Sequence, residues 1–405
     1  MSGIAATVRR HPLWAILALA LALRLLWALL VPVLPLSDSA MYDGFARGIA
    51  AGEGYHLPGG APTAYWPVGT AALYAIVYRI LGTAGSVVAA TNILLGAALV
   101  AATFVLARRH FGPAVAVIAG VAAAIWPMWI AFTTVISSEL PFTLALVLAL
   151  LARGDARRPL WLRSLLSSAL IVLASFFRPT LLLLVVVLPV LDLIAHRSPR
   201  RLALDLAIAL VTATALVAPW AMRNDRVMGA PVPVSTNFGV NLWLGNHDGA
   251  DGSFQDPPPT TGLGEVAQDL AYRQQAKAWI MANPGGYLRL TGRRAIETFN
   301  RESIHVYWNE RGLRPALMTP IKLASTLYWW LVFGLSLVGV AVFLRERFTR
   351  LFDPLIVVPA GVAAASLLIM ASDRFHMPMM PFVATFAGVA IVRLAERLAG
   401  RSKVA

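Results

Sequence analysis

Apolar residues fall in long uninterrupted stretches along this chain. Those long enough to cross a bilayer, which takes about 20 residues, are read at 13–34, 86–107, 113–135, 138–153, 164–178, 179–195, 202–220, 319–344, 351–371 and 376–397. A further stretch at 64–82, "AYWPVGTAALYAIVYRILG", is apolar but carries Pro67, Gly69, three tyrosines and Arg79, and could either span or lie flat. The pattern predicts an all-α polytopic membrane protein of about ten transmembrane helices. It divides into an N-terminal transmembrane module at 1–220 with a first outer loop at 36–85, an extramembrane region at 221–318, and C-terminal spans at 319–405.

The polar positions between the runs decide how 64–82 is read. Lys and Arg in short loops gather on the cytoplasmic side. With 64–82 in the interface, the clusters Arg9/Arg10, Arg108/Arg109, Arg153/Arg157/Arg158/Arg163, Arg197/Arg200/Arg201, Arg345/Arg347/Arg350 and Arg393/Arg397/Arg401/Lys403 all fall inside. They hold more than half of the 34 Lys and Arg residues. The outer short loops keep only Arg47, Arg79, Arg178 and Arg374. If 64–82 spanned, every cluster after the first would move outside. The expectation is therefore ten spans with both termini inside, and 64–82 as an amphipathic juxtamembrane helix with its Tyr and Trp at the headgroup level. The first run, longer than a usual signal core and without a convincing cleavage site, is read as a retained helix rather than a cleaved signal.

The 221–318 region has two halves. Its first, from "PWAMRNDRVMG" to "FQDPPP", is rich in Gly, Pro and Asn and reads as irregular or short-strand structure. Its second, from about Leu263 to Arg301, reads as two surface helices broken at "NPGG". No internal repeat or low-complexity tract is visible.

Composition agrees with the pattern: 58% hydrophobic, 13% charged, mean hydropathy +0.70. An ordinary soluble domain is excluded. The net charge of +14 is split among clusters between apolar runs instead of covering one soluble face, so nucleic acid is not an expected partner. The absence of cysteine removes disulfides, thiolate metal sites and a Cys nucleophile. No P-loop, HExxH, GxSxG or His pair at metal-ligand spacing is present.

This topology brings a small set of chemically capable residues to the outer face. Asp38 and Asp43 lie in "LSDSAMYDGFARGIAAGEGY", just past the first span. A helix over this stretch, ending at Gly52, makes Asp38 and Tyr42 neighbours and sets Asp43 on another flank. Ser37 or Asp38 could simply cap that helix, and Asp43 could pair with Arg47 or meet an acceptor. Glu139, in "SSELPF", stands at the mouth of a span, where an unpaired carboxylate is costly; it could pair with Arg178, cap, or act. Arg178 could equally be a snorkelling anchor. Arg223 and Asn224 follow "APW", and Arg374 and His376 sit in "SDRFHMP". Outer-face arginines could be headgroup contacts, or could bind a lipid-linked phosphate, whose oxygens guanidinium matches bidentately. Arg24, inside the first span, must face protein or water.

In order along the chain, "DSAMYDGFARGIAAGEGY", "APTAYWPVGTAALYAIVYRILG", "ARRHFG", "SSELPF", "FFRP", "PWAMRN", "NLWLGN" and "DRFHMPMMP" resemble bacterial GT-C glycosyltransferases, within them the protein O-mannosyltransferase and aminoarabinose transferase-like group. The resemblance runs over nearly the whole chain and rests on the ordered set. It implies a GT-C membrane fold and inverting transfer of a sugar from a polyprenyl phosphate to a lipid, glycan or protein hydroxyl, at the extracytoplasmic face of a bacterial inner membrane. By the family pattern the first-loop acid falls on Asp38 as base and the second-loop acid on Glu139. Arg178, Arg223 and Arg374 match basic positions, and Tyr42, Asp43, Tyr65, Trp66, Asn224, Asn246 and His376 are expected to line the substrate site. Where relatives often carry Lys or Arg before the proline of the juxtamembrane helix, this chain has Tyr65 and Trp66 before Pro67. Either another arginine substitutes, or Trp66 stacks on the sugar with the phosphate elsewhere. No cofactor is implied; Asp38 and Glu139 could hold a divalent cation if they converged. The competing readings are a transporter or flippase for a lipid-linked saccharide, which would place ionisable groups near the midplane of repeated halves, and a membrane scaffold indifferent to loss of Asp38.

Overall fold

The structure is a computed structural model describing residues 11–57, 59–252, 255, 257, 262–346 and 348–401. Arg9, Arg10, Arg347 and Lys403 of the expected inner clusters, Pro58, and residues 253–254, 256 and 258–261 of the long loop lie outside the described residues. Within them the chain is all-α, with no strand and one isolated bridge between His56 and Pro62.

In chain order the helices are α1 (Pro12–Leu30), α2 (Asp38–Ala51), α3 (Gly69–Leu81), α4 (Gly85–Phe111), α5 (Pro113–Ala124), α6 (Pro127–Ala131), α7 (Glu139–Arg153), α8 (Leu160–Phe177), α9 (Leu184–His196) and α10 (Pro199–Met228). Then come α11 (Phe238–Leu244), α12 (Glu265–Ala282), α13 (Pro284–Phe299), α14 (Ile304–Tyr307), α15 (Pro315–Glu346), α16 (Pro354–Leu368) and α17 (Met380–Arg401). All ten apolar runs are helical, so the chain is a multi-pass membrane protein. Six described helices are long and apolar enough to cross alone, and a seventh span forms if the pair 113–124 and 127–134, bent by 51°, counts as one. Proline explains the bend: Pro127 has no N–H to continue the ladder and pushes Trp126 into extended backbone. α7, α9 and α16 have only 15, 13 and 15 residues, or roughly 20 Å of rise against a hydrocarbon core of about 30 Å. α8 ends at Phe177 because Arg178 precedes Pro179 and takes an extended conformation.

The run at 64–82 gives a helix of only 13 residues, α3. It buries Tyr74, Ala75 and Tyr78 with Tyr42 and Ala46 of α2, and leaves Ile76, Ile80 and Leu81 exposed. Gly69 opens it where the backbone meets the end of α8: a Cβ there would lie 2.6 Å from the Phe176 carbonyl oxygen. α2 closes on Gly52 at φ 84°, a conformation that glycine adopts without penalty. At its other end Ser37 takes φ 55° without a side-chain capping bond, and Asp38 is the first helical residue. The capping reading of Ser37 and Asp38 is thereby replaced, since the Asp38 carboxylate engages another segment.

The bundle centres on its last span, 373–400, of which 83% of the apolar window is buried; it packs on α15 and α5. Gly339 of α15 permits this, because a Cβ would strike the Phe386 backbone. α1 lies at the rim with only 17% of its window buried, yet its Arg24 is fully buried and faces protein, donating to the Ala20 and Ala124 carbonyls at 3.1 Å each.

The long loop differs from expectation in two ways. α10 runs on to Met228, so Arg223 and Asn224 sit on its last turns and not in the loop. The Gly- and Pro-rich half contains no strand among its described residues, only irregular chain and α11; the two helices broken at "NPGG" are α12 and α13. Followed through the helices, Asp38, Glu139, Arg178 and Arg374 come to one end of the bundle, and Arg108/Arg109, Arg157/Arg158, Arg197, Arg345 and Arg397 to the other. At that opposite end Arg153 of α7 is buried between Asp192, at 2.9 Å, and Asp205.

Candidate functional site

Four charged side chains converge because each stands where a long helix begins or ends at the same end of the bundle. Asp38 opens α2, Glu139 opens α7, Arg178 follows α8, and Arg374 lies in a short 3-10 turn, Asp373–Met379, leading into α17. Arg374 Nη2 donates to Asp38 Oδ2 at 2.7 Å, its Nη1 stands 3.7 Å from Glu139 Oε1, and Arg178 Nη1 donates to that same oxygen at 2.6 Å. The result is a continuous chain of alternating charge, Asp38–Arg374–Glu139–Arg178. Aromatic rings wedge the two cations: Phe375 lies 4.7 Å from the Arg178 guanidinium and 5.4 Å from that of Arg374, and Trp308 lies 4.7 Å from Arg374. A carboxylate between two guanidiniums relieves their repulsion, which makes their closeness tolerable.

A cavity of about 700 Å³ opens on this chain. Asp38, Arg178 and Arg374 line it with side chains 28%, 17% and 18% exposed, whereas Glu139 is wholly buried behind the arginines. Tyr42, one turn after Asp38, lines it too, as do Tyr65 and Trp66, whose rings meet edge to face at 4.4 Å. Burial, and then the Asp38 carboxylate, push the Tyr65 phenol up to about 12; the same causes raise Tyr42. Both hydroxyls therefore remain protonated donors at neutral pH.

The remaining expected site residues are elsewhere. Asp43 accepts from Arg47 at 2.8 Å and from the Tyr78 hydroxyl at 2.6 Å. Arg223 donates to the Thr63 and Tyr55 carbonyls at 2.7 Å each and to Asn224 Oδ1 at 2.9 Å, so it straps the first outer loop to α10. Asn224 donates to the Val232 carbonyl. Asn246 donates to Leu242 and Ile369 carbonyls and accepts from Arg294. His376 is fully buried, stacked at 4.0 Å on Trp329, between the Thr298 carbonyl and Glu302. None of these five lines the cavity.

Sequence reading did not single out Glu265, the first residue of α12, which lines the cavity and accepts from Thr63 Oγ1, the Ala64 N–H and Thr236 Oγ1 at 2.7, 2.9 and 2.5 Å. Its only signal was its place at a helix start after glycine. Asp373, placed at the outer face by its turn but given no role from sequence, accepts from the Ser303 N–H and hydroxyl and the Ile304 N–H, and so anchors the turn bearing Arg374. Among the described residues no three His, Asp or Glu side chains gather to hold a metal ion. Arg374 stands between Asp38 and Glu139, in contact with both.

No family model matches the chain, and neither does any curated protein. Solved structures do. The apo crystal structure of the Archaeoglobus fulgidus oligosaccharyltransferase is 13% identical with a TM-score of 0.58, over 97% of this chain and 52% of that one. The archaeal oligosaccharyltransferase AglB from Archaeoglobus fulgidus, in complex with an inhibitory peptide and a dolichol-phosphate, gives 14% and 0.52, over 98% and 52%. ArnT from Cupriavidus metallidurans bound to undecaprenyl phosphate gives 15% and 0.46, over 94% and 78%. The chain thus spans about half the length of the oligosaccharyltransferase. At this identity the likeness is one of fold, shared with the Archaeoglobus fulgidus oligosaccharyltransferase over nearly the whole of this chain.

Proposed function

We propose that this protein is an inverting glycosyltransferase that moves a sugar from a polyprenyl-phosphate carrier to an acceptor hydroxyl at the extracytoplasmic membrane face. The observation that carries this reading is the charge chain Asp38–Arg374–Glu139–Arg178 on the wall of a 700 Å³ cavity. Support also comes from structures of the same fold, one of them complexed with a dolichol-phosphate. The collection of arginine at the bundle end away from the cavity supports the outward placement.

In this reading Arg178 and Arg374 hold the carrier phosphate, and Glu139, out of reach of substrate, positions both guanidiniums. Asp38 accepts the acceptor hydroxyl proton as the oxygen attacks the anomeric carbon from the face opposite the phosphate. The new C–O bond forms as the bond from the anomeric carbon to the phosphate oxygen breaks, and the electron pair leaves with the polyprenyl phosphate, whose charge the arginines stabilise. One displacement inverts the centre and needs no enzyme nucleophile. Tyr65 and Trp66 occupy the place where relatives often carry a basic residue; here they offer a carbohydrate surface, and phosphate binding falls to Arg178 and Arg374.

The test is labelled polyprenyl-phosphate sugar supplied to the purified protein in lipid nanodiscs with an extract of envelope acceptors. Release of sugar-free polyprenyl phosphate, with label appearing on the acceptor, supports the reading. An intact donor that merely crosses the bilayer in proteoliposomes contradicts it and makes the protein a transporter.

A further inference from the structure

In the wall of the same cavity, α11 and the residue before it contribute two carboxamides. Asn237 precedes its first residue and Asn241 comes four positions later, a spacing that sets them on one side of the helix, and both line the cavity. Asn237 Oδ1 accepts from Ser235 at 2.9 Å. Among the described residues, its Nδ2 group and the whole Asn241 side-chain amide have no hydrogen-bond partner, although both residues are half-buried. A partly desolvated amide left open in a cavity wall suits a ligand that supplies both donors and acceptors.

Among the described residues, the carboxylates that line the cavity are already engaged. Asp38 is balanced by Arg374 at 2.7 Å. Glu265 has three donors on it from Thr63, Ala64 and Thr236. Glu139 is buried out of reach. An ammonium group entering this space would lose water with no uncommitted carboxylate among the described lining residues to receive it, beside two guanidiniums of its own sign. A sugar carboxylate would compete with the carrier phosphate for those guanidiniums. Hydroxyls, which both donate and accept, match the open amides and the Tyr42 and Tyr65 phenols, and the Tyr65–Trp66 pair supplies apolar surface for C–H groups.

Resting on the glycosyltransferase reading, we infer that the transferred sugar is uncharged and polyhydroxylated, and that Asn237 and Asn241 are its specificity-determining contacts. The full-length protein in nanodiscs is titrated with bare polyprenyl phosphate and with the same carrier bearing a neutral hexose, an amino sugar or a uronic acid. Each is measured by displacement of a fluorescent polyprenyl phosphate. The neutral donor is expected to bind roughly tenfold more tightly than either charged donor, the scale of one or two well-made hydrogen bonds. Asn241→Leu should remove most of that preference and leave bare-carrier affinity unchanged, which also shows that the variant is folded. Either charged donor binding as tightly as the neutral one overturns the inference, and so does an undiminished preference in Asn241→Leu. Failure of bare polyprenyl phosphate to bind is a different outcome: it removes the glycosyltransferase reading and the sugar assignment with it.

Discussion

Arg374 reaches Asp38 from 336 positions away in sequence, donating from Nη2 to Oδ2 at 2.7 Å. One guanidinium thereby joins the first outer loop, through Asp38, to the turn before the last helix, and through Glu139 to the start of α7. The candidate base and the candidate phosphate ligand are thus not independent residues. An arriving phosphate draws on the same arginine that holds Asp38 in place.

Arg374→Ala should weaken bare polyprenyl phosphate binding by tenfold or more, because a charge-assisted hydrogen bond is worth about 1.5–3 kcal/mol. Arg374→Lys should recover only part, since a point charge cannot serve Asp38 and a phosphate together as the planar guanidinium fork does. Isothermal titration against the carrier measures both; equal affinity of Arg374→Ala and the parent chain would remove Arg374 from the phosphate site.

Arg178→Ala leaves Glu139 buried with the 3.7 Å contact to Arg374 and a long bond of 3.4 Å from the Ser138 hydroxyl, and should cost about 3–5 kcal/mol of stability, the usual scale for breaking a buried pair. Replacing both residues by apolar ones, Arg178→Met with Glu139→Leu, should restore most of that stability and none of the carrier affinity. Thermal denaturation and carrier titration on the same samples separate the two effects.

Arg223→Ala should lower stability by about 2–4 kcal/mol through loss of its bonds to the Tyr55 and Thr63 carbonyls, and change bare-carrier affinity far less than Arg374→Ala does. Arg223→Lys should not rescue it, because one ammonium cannot span two carbonyls and Asn224 in a fixed fork. A carrier affinity that falls as far as in Arg374→Ala would return Arg223 to the binding site.

His305 of α14 is fully buried with neither ring nitrogen hydrogen-bonded among the described residues. Burial lowers its pKa from 6.5, against the opposing pull of Glu302 and Asp373 and with the help of Lys322 and His376. The unfolded chain then takes up a proton near pH 6.5 that the folded chain refuses. Stability attributable to this group is full above that pH and declines as pH falls below it, until the folded-state pKa is passed. His305→Phe should flatten the melting temperature between pH 7 and pH 5 relative to the parent chain. An unchanged slope would contradict the assignment.

The parts of this account that sequence could carry are those written in long runs or single costly charges. Ten apolar runs are ten helical regions, and a carboxylate at a span mouth needs a partner, which is why Glu139 with Arg178 could be anticipated as a pair. Arg223, Asn224, Asn246 and His376 show where such reasoning stops. A polar residue at an outer helix end looks the same in sequence whether it faces a cavity or a distant carbonyl. Their partners are mostly backbone oxygens of other segments, which no side-chain pattern marks. Glu265 was hidden for the converse reason, since a helix-start acid has a sufficient local explanation. The short runs fare unequally: 138–153 is helical almost throughout as α7, whereas in 179–195 and 351–371 the α-helix begins only at Leu184 and Pro354.

The most direct test of the central claim is the Asp38→Asn variant, measured for single-turnover sugar transfer and, separately, for bare polyprenyl phosphate affinity. Asparagine keeps the size and an acceptor for Arg374 but cannot take the hydroxyl proton. Transfer should fall by about 10²–10⁴-fold, the usual worth of a general base, while carrier affinity changes by less than about tenfold. Full transfer by Asp38→Asn would contradict the account.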